Sequence, residues 1–96
     1  MKTEYLISLD DFCASHNIEV SFIRSLHETG LVDITLIEEV SFLNLEQLQQ
    51  LEKYIRFYYD LDINLEGIET ITHLLFRVNS MQNEIIALRN RLRLYE

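Results

Sequence analysis

The sequence predicts a mainly α chain, a winged helix-turn-helix followed by a long C-terminal coiled-coil helix. Three observations carry that expectation. Two short amphipathic stretches, residues 9–16 and 20–29, stand three residues apart, and the second runs into Gly30; this is the pattern of two helices joined by a tight turn. An alternating stretch then reads as a two-stranded hairpin, the wing. From Ile71 onward apolar residues recur at spacings of three and four, the signature of a heptad seam. The chain has 96 residues, no proline and two glycines. It therefore reads as one structural unit, with residues 1–63 as the winged module and residues 64–96 as a dimerisation helix.

Each element has a local cause. "YLISL", residues 5–9, is an apolar lead-in, either a strand or a packed extended segment. Ser8 offers an N-cap with Asp11 three residues on as its capping-box partner. The helix so begun, about Leu9 to His16, puts Leu9, Phe12 and Cys13 on one face, and Asn17 suits its left-handed end. The second helix, about Val20 to Thr29, turns Val20, Ile23 and Leu26 inward, joined by Phe22, until Gly30 stops it.

In "LVDITLIEEVSFLN" the apolar Ile34, Leu36, Val40 and Phe42 alternate with outward positions. The turn at Glu38-Glu39 has neither glycine nor asparagine, so a longer or irregular loop is expected in place of a tight primed turn. Asn44 and Gln47 form a second capping-box signature. The helix they open, about Leu45 to Tyr59, carries Leu48, Leu51, Ile55 and Tyr58 at helical spacing. "DLDIN" breaks it, Asn64 caps the last helix, and Glu66 suits that helix's first turn.

Ile71, Leu74, Val78, Met81, Ile85, Leu88, Leu92 and Tyr95 then occupy successive a and d positions with no polar interruption. A helix of about 30 residues is ~45 Å long. A module this small cannot cover it, so the seam formed by Val78, Met81, Ile85, Leu88 and Leu92 calls for a partner helix. A second copy of the chain is the simplest source.

Charge argues against one class of partner. The net charge is -8, and residues 1–50 hold two basic and nine acidic groups. Such a surface repels phosphate backbones, whose neutralisation by Lys and Arg drives nucleic-acid affinity. A basic protein surface is the better match. Arg89, Arg91 and Arg93 cluster at the other end of the chain, suited to a helix C-terminus or to an acidic partner segment.

No chemistry-bearing constellation emerges. The lone Cys13 excludes an intramolecular disulfide and a cysteine-based zinc site. His16, His27 and His73 fall on different helices without ligand spacing. There is no phosphate-binding glycine loop and no nucleophile elbow. "YIRFYYDLD", residues 54–62, is aromatic enough for a stacking surface, though core and dimer packing is the plainer use. No enzyme activity, cofactor or metal is expected. The absence of a signal-like run or an apolar stretch of ~20 residues gives a cytoplasmic expectation.

"NIEVSFIRSLHETGLV" (17–32) and "LNLEQLQQLEKYIRFYYDLDINLEGIETITHLL" (43–75) resemble the MerR-like family, whose helix after the wing is followed by a turn similar to Leu61–Ile68 here. DNA-binding members carry an R-x-Y signature after the wing, which stands here as Ser41-Phe42-Leu43. Their R-[YF]-Y-E run in the second helix stands here as Arg24-Ser25-Leu26-His27, and Arg24 is assigned instead to an internal ion pair. With its acidic front, "L-x-G-I-x-x-I" and a terminal "L-R-x-R-L", the chain is similar to the chaperone-modulator family CbpM. That resemblance implies binding to the J-domain of a DnaJ/CbpA-like co-chaperone and inhibition of its work with a DnaK-type chaperone. Asp10, Asp11, Glu38 and Glu39 are the candidate contacts. The alternative is a divergent MerR-like DNA-binding transcription regulator.

Overall fold

The computed structural model describes residues 5–95. A three-residue strand, β1 (Leu6–Ser8), leads directly into α1 (Leu9–His16). The Ser8 hydroxyl accepts from the Asp11 amide at 3.2 Å, which is the predicted N-cap, while the Asp11 carboxylate makes no return bond to the Ser8 amide. Asn17 takes φ 58° at the far end, which lets its own amide reach Ala14 and the Ile18 amide reach Cys13. The second helix, α2 (Val20–Glu28), ends in the same paired closure: Gly30 sits at φ 84°, its amide bonds His27, and the Leu31 amide bonds Leu26. A left-handed residue after each helix is what permits this closure.

The wing is β2 (Ile34–Ile37) and β3 (Val40–Asn44), and β1 pairs on the other side of β3 in the antiparallel order β1-β3-β2. Two expectations are corrected here. Ile37 pairs with Val40, so the loop between them is only Glu38 and Glu39, both at positive φ (49° and 67°). This is a tight primed turn, made without the residues that normally favour it. The register also splits the expected apolar set. Ile34 pairs with Leu43 and Ile7 pairs with Leu43, so these share the inner face, and it is Leu43 that is fully buried. Leu36 and Val40 flank the turn beyond the reach of the core and are exposed.

The helix after the wing is three segments. Asn44 caps a 3₁₀ turn (Leu45–Gln47) by accepting from the Glu46 amide at 2.8 Å, α3 covers Leu48–Ile55, and a π turn covers Arg56–Asp60. Gln47 closes no capping box. Its side-chain amide reaches across the wing, with Oε1 accepting from the Asp33 amide at 2.8 Å and Nε2 donating to the Asp33 carbonyl at 3.0 Å. Leu51 is buried as expected, Tyr54 joins it, and Tyr58 is exposed. The π turn's wider winding, closed by Leu61 N–H to the Arg56 carbonyl, rotates the residues after Ile55 off the predicted stripe.

The last helix, α4 (Leu65–Arg93), is capped by the Asn64 side chain, which accepts from the Gly67 amide at 2.8 Å. Gly67 is needed for a close approach. A Cβ there would meet Ile63 Cγ2 at 2.7 Å and Asn64 Oδ1 at 3.1 Å. Ile68 enters a core made by Leu9, Phe12 and Cys13 of α1, Phe22, Ile23 and Leu26 of α2, and Val32, Leu43, Leu51 and Tyr54. Beyond that first turn α4 leaves the core.

Candidate functional site

The predicted contact residues lie at one end of the sheet. Ser8 pairs with Phe42, and Phe42 stands three residues beyond Glu39 of the turn. Helix α1 therefore begins near the wing tip, and its exposed first-turn acids, Asp10 and Asp11, share that end with exposed Glu38 and Glu39. Carboxylates at a helix N-terminus are favoured by the unpaired amides there. The left-handed backbone at the two glutamates costs on the order of 1–2 kcal/mol per residue.

Helix α2, which would be the reading helix of a DNA-binding module, presents Ser21, Arg24, His27 and Glu28 to solvent. Arg24 is its one cation. Among the described residues it makes no ion pair, which corrects the internal pairing assigned to it. His27 is tied back instead, with Nδ1 donating to the Val32 carbonyl at 3.0 Å. Among the described residues, His16 Nε2 lies 3.9 Å from Glu52 Oε2, an ion pair when the imidazole is protonated, beside the stacking of His16 on Phe12. Nothing on α2 offers the paired cations that a phosphate backbone requires.

A third feature lies in the aromatic run, residues 54–62, that the sequence offers as a stacking surface or as packing. The π turn brings Tyr58 and Tyr59 together against α2. Phe22 stacks on Tyr58 at a centroid distance of 4.4 Å and meets Tyr59 edge-on at 5.5 Å, and the two tyrosines meet edge-on at 5.0 Å. The Tyr59 hydroxyl accepts from the Glu19 amide at 3.2 Å, anchoring the cluster at the start of α2. Both tyrosines stay more than a third exposed. They wall a cleft of about 360 Å³ with Asp62, Ile63 and Asn64. The only sequence signal was the aromatic run itself, because periodicity places Tyr58 inside and gives Tyr59 no role.

The predicted seam faces open space within one chain. Val78, Met81, Ile85, Leu88 and Leu92 are each between 46% and 63% exposed, so no part of the described chain covers them.

Among the described residues no group of three or more His, Cys, Asp or Glu is placed to hold a metal ion. Burial pushes the Cys13 thiol above its ordinary pKa, with a smaller contribution from the charge of Asp10. The reactive thiolate is therefore disfavoured at neutral pH. No described helix is long and apolar enough to cross a membrane.

A family model described as MerR HTH family regulatory protein matches residues 7–90. The chain belongs to that family, and the helix-turn-helix, wing and following helices described above are the parts the match spans. Comparison with curated proteins and with solved structures finds no match.

Proposed function

We propose that this chain is a non-enzymatic modulator that binds the basic J-domain surface of a DnaJ/CbpA-like co-chaperone and blocks its work with a DnaK-type chaperone. One observation carries the reading. The winged head has the shape of a nucleic-acid reader and the charge of a nucleic-acid repellent. Residues 1–70 hold four basic and fourteen acidic groups, with Arg24 the one cation on α2. The acidic end formed by α1 and the wing tip suits a basic protein surface, where complementary potential speeds encounter and fixes orientation. The likeness to the chaperone-modulator family supports the choice of a J-domain over other basic proteins. Blocking is steric: a J-domain held against the head cannot present the same surface to its chaperone. A homodimer formed through α4 would carry two such heads.

Pull-down of a J-domain by the parent chain, and its loss on reversing Asp10, Asp11, Glu38 and Glu39 to lysine, is the expected result. Circular dichroism checks that the reversed chain keeps its helices, since acids at the start of α1 also help cap it. Binding unchanged by the reversal removes those four residues from the account. Absence of J-domain binding by the parent sinks the reading.

The family description favours one other reading, a divergent transcription regulator, because a helix-turn-helix with a wing is a DNA-docking shape. A gel-shift on genomic fragments at low salt separates the two. Retardation there supports DNA binding, and none counts against it where electrostatic affinity is greatest.

A further inference from the structure

We propose that the cleft beside the π turn is a receptor for a single cationic side chain, Arg or Lys, of a protein partner. Four observations place it there. Tyr58 and Tyr59 line the cleft while remaining more than a third exposed, so aromatic surface is available to an incoming group. Asp62 lines the same cleft and makes no ion pair among the described residues. The Glu19 amide donates to the Tyr59 hydroxyl, which fixes that ring at the wall of the cleft. No Lys or Arg of the described chain stacks on these rings, so the chain does not fill the site itself.

The chemistry selects the ligand. Aromatic faces attract a cation through the ring quadrupole, most strongly when water is partly excluded. A carboxylate beside them adds an ionic acceptor, and a guanidinium satisfies both because it is planar and carries several donors. An anion finds no cation among Tyr58, Tyr59, Asp62, Ile63 and Asn64. At about 360 Å³ the cleft lies at the small end of the range for ligand pockets, suited to one long side chain and not to a folded segment. Asn64 Oδ1 is already engaged by the Gly67 amide, which leaves Asp62 as the charged acceptor.

The partner's identity rests on the function proposed above; the pocket does not, and the test separates them. The probes are a hexa-arginine peptide and a J-domain from a DnaJ-like co-chaperone, titrated at physiological salt onto the parent and three variants. Asp62→Asn removes the charge while keeping a residue that tolerates the φ of 55° at this position. Tyr58→Leu removes the ring, and Tyr58→Phe restores it. Expected are losses on the order of tenfold in affinity for both probes with Asp62→Asn and with Tyr58→Leu, and near-parent binding with Tyr58→Phe. Circular dichroism of the variants should overlay the parent. A peptide that fails to bind, or that binds Asp62→Asn and Tyr58→Leu like the parent, overturns the pocket whatever the J-domain does. A peptide that depends on Asp62 and Tyr58 beside a J-domain that does not bind leaves the pocket standing and removes the chaperone reading.

Discussion

The head and the outer part of α4 are built from similar residues and put them to opposite use. Residues 71–95 include thirteen apolar side chains out of twenty-five, a share close to that of the whole chain. None of them is buried, whereas the head sinks eleven side chains into one core. Their charges differ as well. Residues 71–96 carry Arg77, Arg89, Arg91 and Arg93 against two glutamates, while the head is strongly acidic. The lesson is that apolar content alone does not say where burial occurs. In the head the apolar residues sit on several short elements that close around one another. On α4 they lie along one 29-residue rod, about 44 Å long, which no short element can wrap.

The sharpest way to break this contrast is to make the same substitution in both regions. Phe12→Ala, at a side chain only 1% exposed, should cost about 3–5 kcal/mol and lower or abolish the thermal transition. Phe76→Ala, at one 71% exposed, should leave a monomer's stability within about 0.5 kcal/mol. Equal effects would mean that Phe76 is covered in solution. The next test is assembly. Light scattering of the parent should give about twice the 11.5 kDa chain mass, and Ile85→Lys, which puts a charge in the seam, should return it to one. A parent that scatters as a single chain would end the dimer reading. A smaller effect is expected at the junction of the two regions. Gly67→Ala ordinarily stabilises a helix by about 1 kcal/mol, but contact with Ile63 should turn that gain into a loss of about 1–3 kcal/mol in urea unfolding. Smallest is the wing tip. Glu38→Asn with Glu39→Gly relieves two left-handed glutamates and should raise stability by about 1–2 kcal/mol, read from the same unfolding curves.

The parts of the fold that could be read from sequence are those with local causes. Ser8, Asn17, Gly30 and Asn64 each mark a helix end through a hydrogen bond or dihedral that their own residue type permits. The heptads predicted a rod because periodicity is itself local. What escaped depends on distant partners. Tight pairing of β2 with β3 holds Glu38 and Glu39 in a turn their own preferences oppose. Gln47 shares a spacing with a capping box, yet Asp33, fourteen residues earlier, takes its amide. The π turn inserts its wider winding where periodic reading assumes an ordinary helix, and so hides the Tyr58–Tyr59 cluster. Asp10, Asp11, Glu38 and Glu39 were legible as acids; that they share one end of the sheet follows from register alone.

The Gln47 clasp bears on how fast and how tightly the head can engage anything at its tip. The oxygen and the nitrogen of its side-chain amide are both spent on the polar backbone atoms of Asp33, so the base of the wing is latched to the helix that follows it. A loop closed in this way has already lost its conformational freedom before any encounter. An arriving surface then meets a stiff prong and forfeits no further entropy in ordering it, which is how preorganisation tightens binding without adding a contact.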